Sequence, residues 1–582
     1  MKKIFCILFV LKWSLLIGQT LYDPQQLYDV PSGMYDKDSV RDLYINFQDP
    51  NFHTVLVNSF FTNPSYRIPA NITLNDVSFD SVGIRYKGNS TFCLPNDNGN
   101  PKVPFNIDMN YWISGQKLLG YKKLKLANAW MDPTFAKEFA AAKIYREYLP
   151  SAEVNLLKLH VQGNYLGVYV NTESLNKQFL KKHFDEKSGV LFKCDPSGMF
   201  CDTPGTPGSG RPNLVWLGTD STDYYNDYTI KSESGWAELL DFIYTLNYNF
   251  NKIDSVLNVD RVLWAFAVNA VISNLDTYNG FYIHNYYLYK TKDGLFQMIP
   301  WDLDNSFLGA ILGFNNSTTL YQRDPYYWGT SSSPRPLAYH LFNDPLYRKQ
   351  YTAHLRTIIN ETLDTAVIRA GINQLQSLAH NAVDSDQYRQ YTTTEYYSNV
   401  ENHLGFWYKN GGIMVTIDGR KAYLLSHPEI SLIPPNINNV SVINNLVTVE
   451  VFNADTVKLM ATESEYNSKF QSFIMLDDGL NGDLMASDGI FTVALPFQGS
   501  GNDVKFYIRA ENNDALMLNP ERAEYEFYIY SPISEITGIT FYQSRKLIRI
   551  TDILGRETNY ITNKPLFYIY DDGTVEKRII IE

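Results

Sequence analysis

Asp276, Asn285, Asp302 and Asp304 fall within one short span, separated by the alternating segment Tyr286-Tyr287-Leu288-Tyr289. A chain that delivers carboxylates from a loop, a strand and the following loop must bring strand ends and loops to a common point. The alternating segment reads as a strand with an aromatic face. Carboxylates so placed suit magnesium-dependent phosphoryl transfer, in which one oxygen orients or deprotonates the nucleophile and others hold the metal against phosphates. Asp-x-Asp pairs also cap turns or hold structural calcium, and spacing alone leaves those readings open.

The rest of the chain sets bounds on that chemistry. A length of 582 residues calls for several cores. A net charge of -12, with no basic stripe, argues against nucleic-acid binding, because nothing would neutralise a phosphate backbone. Lys2 and Lys3 ahead of the apolar Ile4 to Leu11, with Gly18-Gln19 after them, read as a signal peptide over residues 1–19. No later segment is long enough for a membrane span, so an exported protein is expected. Cleavage would remove Cys6 and leave Cys93, Cys194 and Cys201. Cys194 and Cys201 flank a turn-rich hexapeptide and are either a small disulfide loop or two free thiols.

Strands and turns dominate residues 35–130, Asp132-Pro133 opens a helix expected over about 133–148, and residues 154–175 form a hairpin. Residues 232–285 and 335–410 read as mainly helical. At Ile433-Pro434-Pro435-Asn436 the texture changes to short strands with regular turns, which suggests a β-sandwich over residues 433–531. Within it, Asp477-Asp478-Gly479 and Asp483, followed by Asp488-Gly489, could wrap calcium or serve only as turn residues. Residues 532–582 form a third, all-β texture.

Several motifs in fixed order carry a family resemblance: Arg85-Tyr86-Lys87-Gly88-Asn89-Ser90-Thr91, Lys123-Leu124-Lys125-Leu126-Ala127-Asn128, Tyr165-Leu166-Gly167-Val168-Tyr169 leading to Glu173, Asp276, His284-Asn285-Tyr286-Tyr287-Leu288-Tyr289 and Pro300-Trp301-Asp302-Leu303-Asp304. Over roughly residues 38–410 the chain resembles the CotH kinase family, the spore-coat-H-like atypical kinases. The resemblance implies a divergent protein-kinase-like α+β domain, placed at residues 20–432, that binds ATP with Mg²⁺ or Mn²⁺ and phosphorylates Ser or Thr of a protein substrate. It implies Asp276 as the catalytic aspartate, Asp302 as a metal ligand and Asp304 as a second one. Asn285 either completes the metal shell or caps a turn; its nine-residue distance from Asp276 is wider than in ordinary kinases. On the phosphate side the kinase reading needs a lysine fixed by a carboxylate. Lys102 with Glu138 is the preferred pair, Lys87 the rival, and Arg85 a second cation. Glu173 contacts the nucleotide or caps the next helix.

The last fifty residues resemble the sorting domain of type IX secretion substrates, carried by Ile550-Thr551-Asp552-Ile553-Leu554-Gly555-Arg556-Glu557 and Leu566-Phe567-Tyr568-Ile569-Tyr570-Asp571-Asp572-Gly573. That implies the type IX machinery as a partner and passage through the periplasm of a Gram-negative cell to the surface or medium. The expected architecture is therefore a multidomain chain: a kinase-like domain, an Ig-like β-sandwich and a small all-β sorting domain. Because ATP is scarce outside cells, an alternative stands beside the kinase. It is a kinase-like scaffold acting as a surface adhesin or carbohydrate-associated binding protein.

Overall fold

The computed structural model describes residues 19–196, 210–312, 319–331, 334–405, 409–497 and 500–531, and, towards the C-terminus, 547–552, 555–558, 564–570 and 575–579. Residues 1–18 of the expected signal peptide, Cys201, Ile553 and Leu554, and Asp571 to Gly573 lie outside the described residues. The chain divides into two units, Met1–Ser531 and Pro532–Glu582.

In the large unit, seven strands close into a barrel: Arg41–Phe47, Ile68–Leu74, Val77–Tyr86, Phe105–Asp108, Lys123–Ala127, Asn164–Thr172 and Val154–Val161, in that spatial order. All neighbours are antiparallel except the closing pair, Arg41–Phe47 with Val154–Val161. The period-two alternation decides which residues fill the barrel and which leave it. In Lys123–Ala127, Leu124 and Leu126 enter the core with Ile84 and Phe105, so Lys123 and Lys125 face outward. In Val77–Tyr86 the same rule buries Val82, Ile84 and Tyr86 and turns Arg85 out.

A second, antiparallel sheet runs Tyr228–Ile230, Val190–Cys194, Tyr286–Lys290, Phe296–Pro300. The strand at 286–290 has two covered faces, rather than one aromatic face. Tyr286 and Leu288 join the large helical core, while Tyr287 and Tyr289 pack with Phe179, Phe184 and Trp301. A sheet covered on both sides needs apolar residues at every position, and four successive aromatic or aliphatic residues supply them. The expected helix at 133–148 is shorter, Lys137–Arg146. Asp132 holds a tight turn ahead of it, accepting from Thr134 N at 2.9 Å and Lys137 N at 2.9 Å. Helices Trp236–Tyr248, Val259–Val271, Pro336–Asn343, Pro345–Glu361, Thr365–Asp384, Thr393–Glu401 and Ile413–Leu425 complete the body.

Residues 436–530 form two sheets around a shared core that includes Val447, Val449, Leu459, Phe506 and Ile508. The strand Gln19–Tyr22 joins one of these sheets by pairing with Phe527–Tyr530. This sandwich is fused to the helical body. Trp264 Nε1 donates to the Ala523 carbonyl at 3.1 Å, and Arg522 pairs with Glu147 and Glu361, each at 2.7 Å.

In the C-terminal unit, Leu547–Thr551, Pro565–Tyr570 and Val575–Ile579 form an antiparallel three-stranded sheet with Leu566, Tyr568 and Tyr570 buried. Among the described residues no helix is long and apolar enough to cross a membrane.

The cysteines resolve differently from the disulfide loop considered for 194 and 201. Cys194 is a free, buried thiol on a central strand, whereas Cys93 is disulfide-bonded.

Candidate active site

Asp276 follows the helix Val259–Val271 and is held by four neighbours. His284 Nε2 lies 2.6 Å from Oδ1, and the Asn305 amide donates to Oδ2 at 2.9 Å. The Asn285 amide donates to the Asp276 carbonyl at 3.0 Å and to Oδ2 at 3.3 Å; Asn274 Oδ1 accepts from the Asp276 backbone N–H at 3.3 Å. The side chain is thereby fixed in direction while only 7% of the residue is exposed. Asn285 thus directs its amide to the catalytic-aspartate candidate, and its left-handed φ of 59° suits an asparagine in a tight turn. Asn305 was not anticipated; its place just past Asp302-Leu303-Asp304 was the available signal.

Asp302 is exposed, at a left-handed φ of 57°. Asp304 sits partly buried beside it. Burial, then the charges of Asp302, Glu138, Asp276 and Asp132, push its carboxyl well above the ordinary range. Glu138 is pushed up to about 7 by burial and by Asp302, against the opposing charge of Lys87 and a hydrogen bond from Thr172 Oγ1 at 2.9 Å. Carboxyl groups that resist ionisation because of one another are relieved by a cation, and Asp302 and Asp304 offer the hard oxygen donors that a divalent metal takes.

Opposite them stands a cluster of positive charge. Arg85, Asn106, Lys125 and Thr172 form one cross-strand row on the barrel's outer face. Lys125 Nζ lies 4.4 Å from the centre of the Trp301 ring. Burial and then the charges of Lys87, Lys193, Arg85 and Lys231 hold its ammonium well below the usual lysine range. Lys231 is likewise lowered, to about 8, by burial and then Lys193 and Arg85. Among the described residues Lys87, Lys125 and Lys231 make no ion pair, which leaves their charge for an anion. Lys87 acts electrostatically on both Glu138 and Lys125 and so stands between the two clusters.

Two expectations are corrected by this geometry. Lys102 does not pair with Glu138: it is fully buried against Asp386, which also accepts from Val168 N at 3.1 Å, and its Nζ lies 4.8 Å from the Phe135 ring. A lysine so enclosed has no path to a phosphate. Glu173 is buried in a separate network, where Lys182 Nζ lies 3.3 Å from it and the Glu153 backbone N–H 3.2 Å. The row containing Arg85 brings forward Lys125 instead, and the Lys-Leu-Lys-Leu alternation was the signal for it.

A seven-stranded barrel and a helical body, with an acidic group and a basic group close enough to act on one another through Lys87, define a mixed α/β class of protein. The chain belongs to the CotH kinase protein family, whose model matches residues 84–412. It is also similar to the inner spore coat protein H of Bacillus subtilis (strain 168), with 26% identity over 199 residues, 32% of this chain and 50% of the relative. The chain thus spans about half the length of that curated relative.

Outside this region, Asp477, Asp483 and Asp488 bring carboxylate oxygens within 4.8 Å of one another on the sandwich. Their oxygens also accept from loop backbone N–H groups, including Gly489 at 2.9 Å and Met485 at 3.3 Å.

Proposed function

We propose that the protein is an exported protein kinase that transfers the γ-phosphoryl group of ATP to a Ser or Thr hydroxyl of a surface or extracellular protein. The observation carrying this reading is the meeting of a carboxylate cluster, Asp276, Asp302, Asp304 and Glu138, with unpaired cations on the barrel's outer face. Lys125, with Lys87 and Arg85, neutralises phosphate oxygens. Point charges suffice there, and their mutual repulsion is relieved when the anion arrives. Asp302 and Asp304 would hold Mg²⁺ or Mn²⁺, which would supply positive charge against the phosphate oxygens. Asp276, fixed by His284 and Asn305, orients the acceptor hydroxyl for in-line attack. Asp477, Asp483 and Asp488 are read as a structural calcium site, and residues 532–582 as the type IX sorting domain.

The scaffold-only reading, a surface adhesin, finds support in an aromatic group on the surface. Tyr244 and Tyr248 are exposed and 5.1 Å apart, with Trp216 5.2 Å from Tyr244. The test separating the two incubates the purified protein and Asp302→Ala with γ-labelled ATP and Mg²⁺ or Mn²⁺, following nucleotide binding and label on protein. Transfer by the parent alone supports the kinase. A folded parent that neither binds nor transfers overturns it.

A further inference from the structure

Away from the active site, a cavity of about 170 Å³ lies where the helices Val259–Val271 and Pro345–Glu361 meet the sandwich strands Thr456–Thr462 and Val504–Glu511. Its wall is polar on several sides, with Asp254, Asp260, Gln350, Tyr507, Arg509 and Glu524. The acids in it are satisfied. Asp260 Oδ1 accepts from Gln350 Nε2 at 2.7 Å and lies 2.8 Å from His354 Nε2, and its Oδ2 accepts from Glu524 N at 3.0 Å. Asp254 accepts from the Tyr347 hydroxyl at 2.7 Å, and Glu524 from that of Tyr507 at 2.8 Å.

Arg509 is the exception. Only 8% of it is exposed, its Nε has no hydrogen-bond partner, and its guanidinium makes no ion pair among the described residues. A buried Nε–H without an acceptor forfeits a charge-assisted hydrogen bond, which an anionic oxygen in the cavity would restore. Burial and Asp260 push the Glu524 carboxyl up to about 8, which leaves a neutral acid able to donate towards the same space. Planar donors of this kind match carboxylate or phosphate oxygens. At ~10–15 Å³ for each water, the space holds on the order of ten non-hydrogen atoms.

We propose that this seam cavity is a second ligand site, which binds one small oxyanion, a carboxylate or phosphate, on Arg509. The site is independent of the phosphotransfer reading. Its position at the start of the helix that leads to Asp276 would let occupancy bear on the active site.

The test uses the full chain carrying Lys125→Met, which removes one active-site cation, and Arg509→Gln in that background separates the seam site from the cations that remain. Calorimetric titration without ATP or divalent metal compares inorganic phosphate, lactate and chloride at equal ionic strength. Saturable binding of phosphate, of lactate or of both at one site per chain is expected, weakened at least tenfold by Arg509→Gln. Phosphate alone would identify a phosphoryl ligand, and lactate alone a carboxylate. Where Arg509→Gln does not fold, Met460→Phe, which fills the cavity and leaves the charges in place, is expected to abolish binding. No saturable binding, or binding unchanged in the folded variants, overturns the proposal.

Discussion

His284 Nε2 lies 2.6 Å from Asp276 Oδ1, and its Nδ1 lies 3.2 Å from Asp195 Oδ1, with Lys193 bound to the far oxygen of Asp195. Only the imidazolium can donate from both nitrogens at once. Burial opposes that charge, but Asp276 and Asp195 outweigh it and push the imidazole up to about 10. His284 is therefore a fixed cation that keeps Asp276 aimed.

The first prediction concerns that pair. The folded pKa is raised above the ordinary 6.5, so the stabilisation is fully present below 6.5 and is lost as pH rises through about 10. The His284 ring signals in an NMR titration should not move between pH 5 and 8. His284→Gln should lower kcat about 10- to 100-fold, the scale of a lost charge-assisted contact, with ATP affinity unchanged. A ring that titrates near pH 6.5 would refute the arrangement.

The second prediction contrasts two lysines. Lys125→Met removes a cation crowded by others, so ATP should bind at least tenfold more weakly while Tm stays the same or rises. Lys102→Met strands Asp386 in the interior and should cost about 3–5 kcal/mol in denaturant unfolding. Equal effects of the two changes on nucleotide binding would show that the barrel's outer row is not the phosphate side.

Much of this was legible in the chain because the carriers are local. The span from Asp276 to Asp304 named its own carboxylates, and the strand between them is where the alternation placed it. Lys125 was within reach too, since alternation alone turns it out of the barrel. What the sequence could not reveal is contact between distant segments. Asp386 lies 284 positions from Lys102, and Asp195 lies 89 from His284. No spacing rule links them. The helix start shifted for a local reason, the turn that Asp132 holds, and the second face of the Tyr286 strand became visible only once Phe179, Phe184 and Trp301 were seen to cover it.

The cysteines yield a third prediction. Burial holds the Cys194 thiol well above its usual range, so it is a poor nucleophile in the folded chain. Iodoacetamide should label it only after unfolding, and Cys194→Ala should be tolerated. Cys93→Ser removes a cross-link and should cost about 2–5 kcal/mol. Labelling of Cys194 in the native protein would place it at a surface instead.

The acid cluster sets stability against function, which can be measured. Glu138 has a folded pKa of about 7 against an ordinary 4.5, raised by burial and by Asp302. A raised carboxyl contributes stability that is complete below 4.5 and lost as pH rises through about 7. The metal-free protein should therefore lose Tm across that window, and Asp304, displaced in the same direction, adds to the loss. Asp302→Asn takes away the charge that acts on both neighbours. It should raise Tm of the metal-free protein at pH 7.5, make the loss with pH smaller and end it at a lower pH, and abolish metal-dependent ATP binding. Mg²⁺ or Mn²⁺ should stabilise the parent by about 2.7 kcal/mol at a hundred times its Kd and leave Asp302→Asn unmoved. A natural site that is less stable than its neutralised variant has been kept for what it binds. An Asp302→Asn protein that melts earlier than the parent at every pH, with its metal response intact, would show that Asp302 is a structural turn residue and that the metal, if any, sits elsewhere.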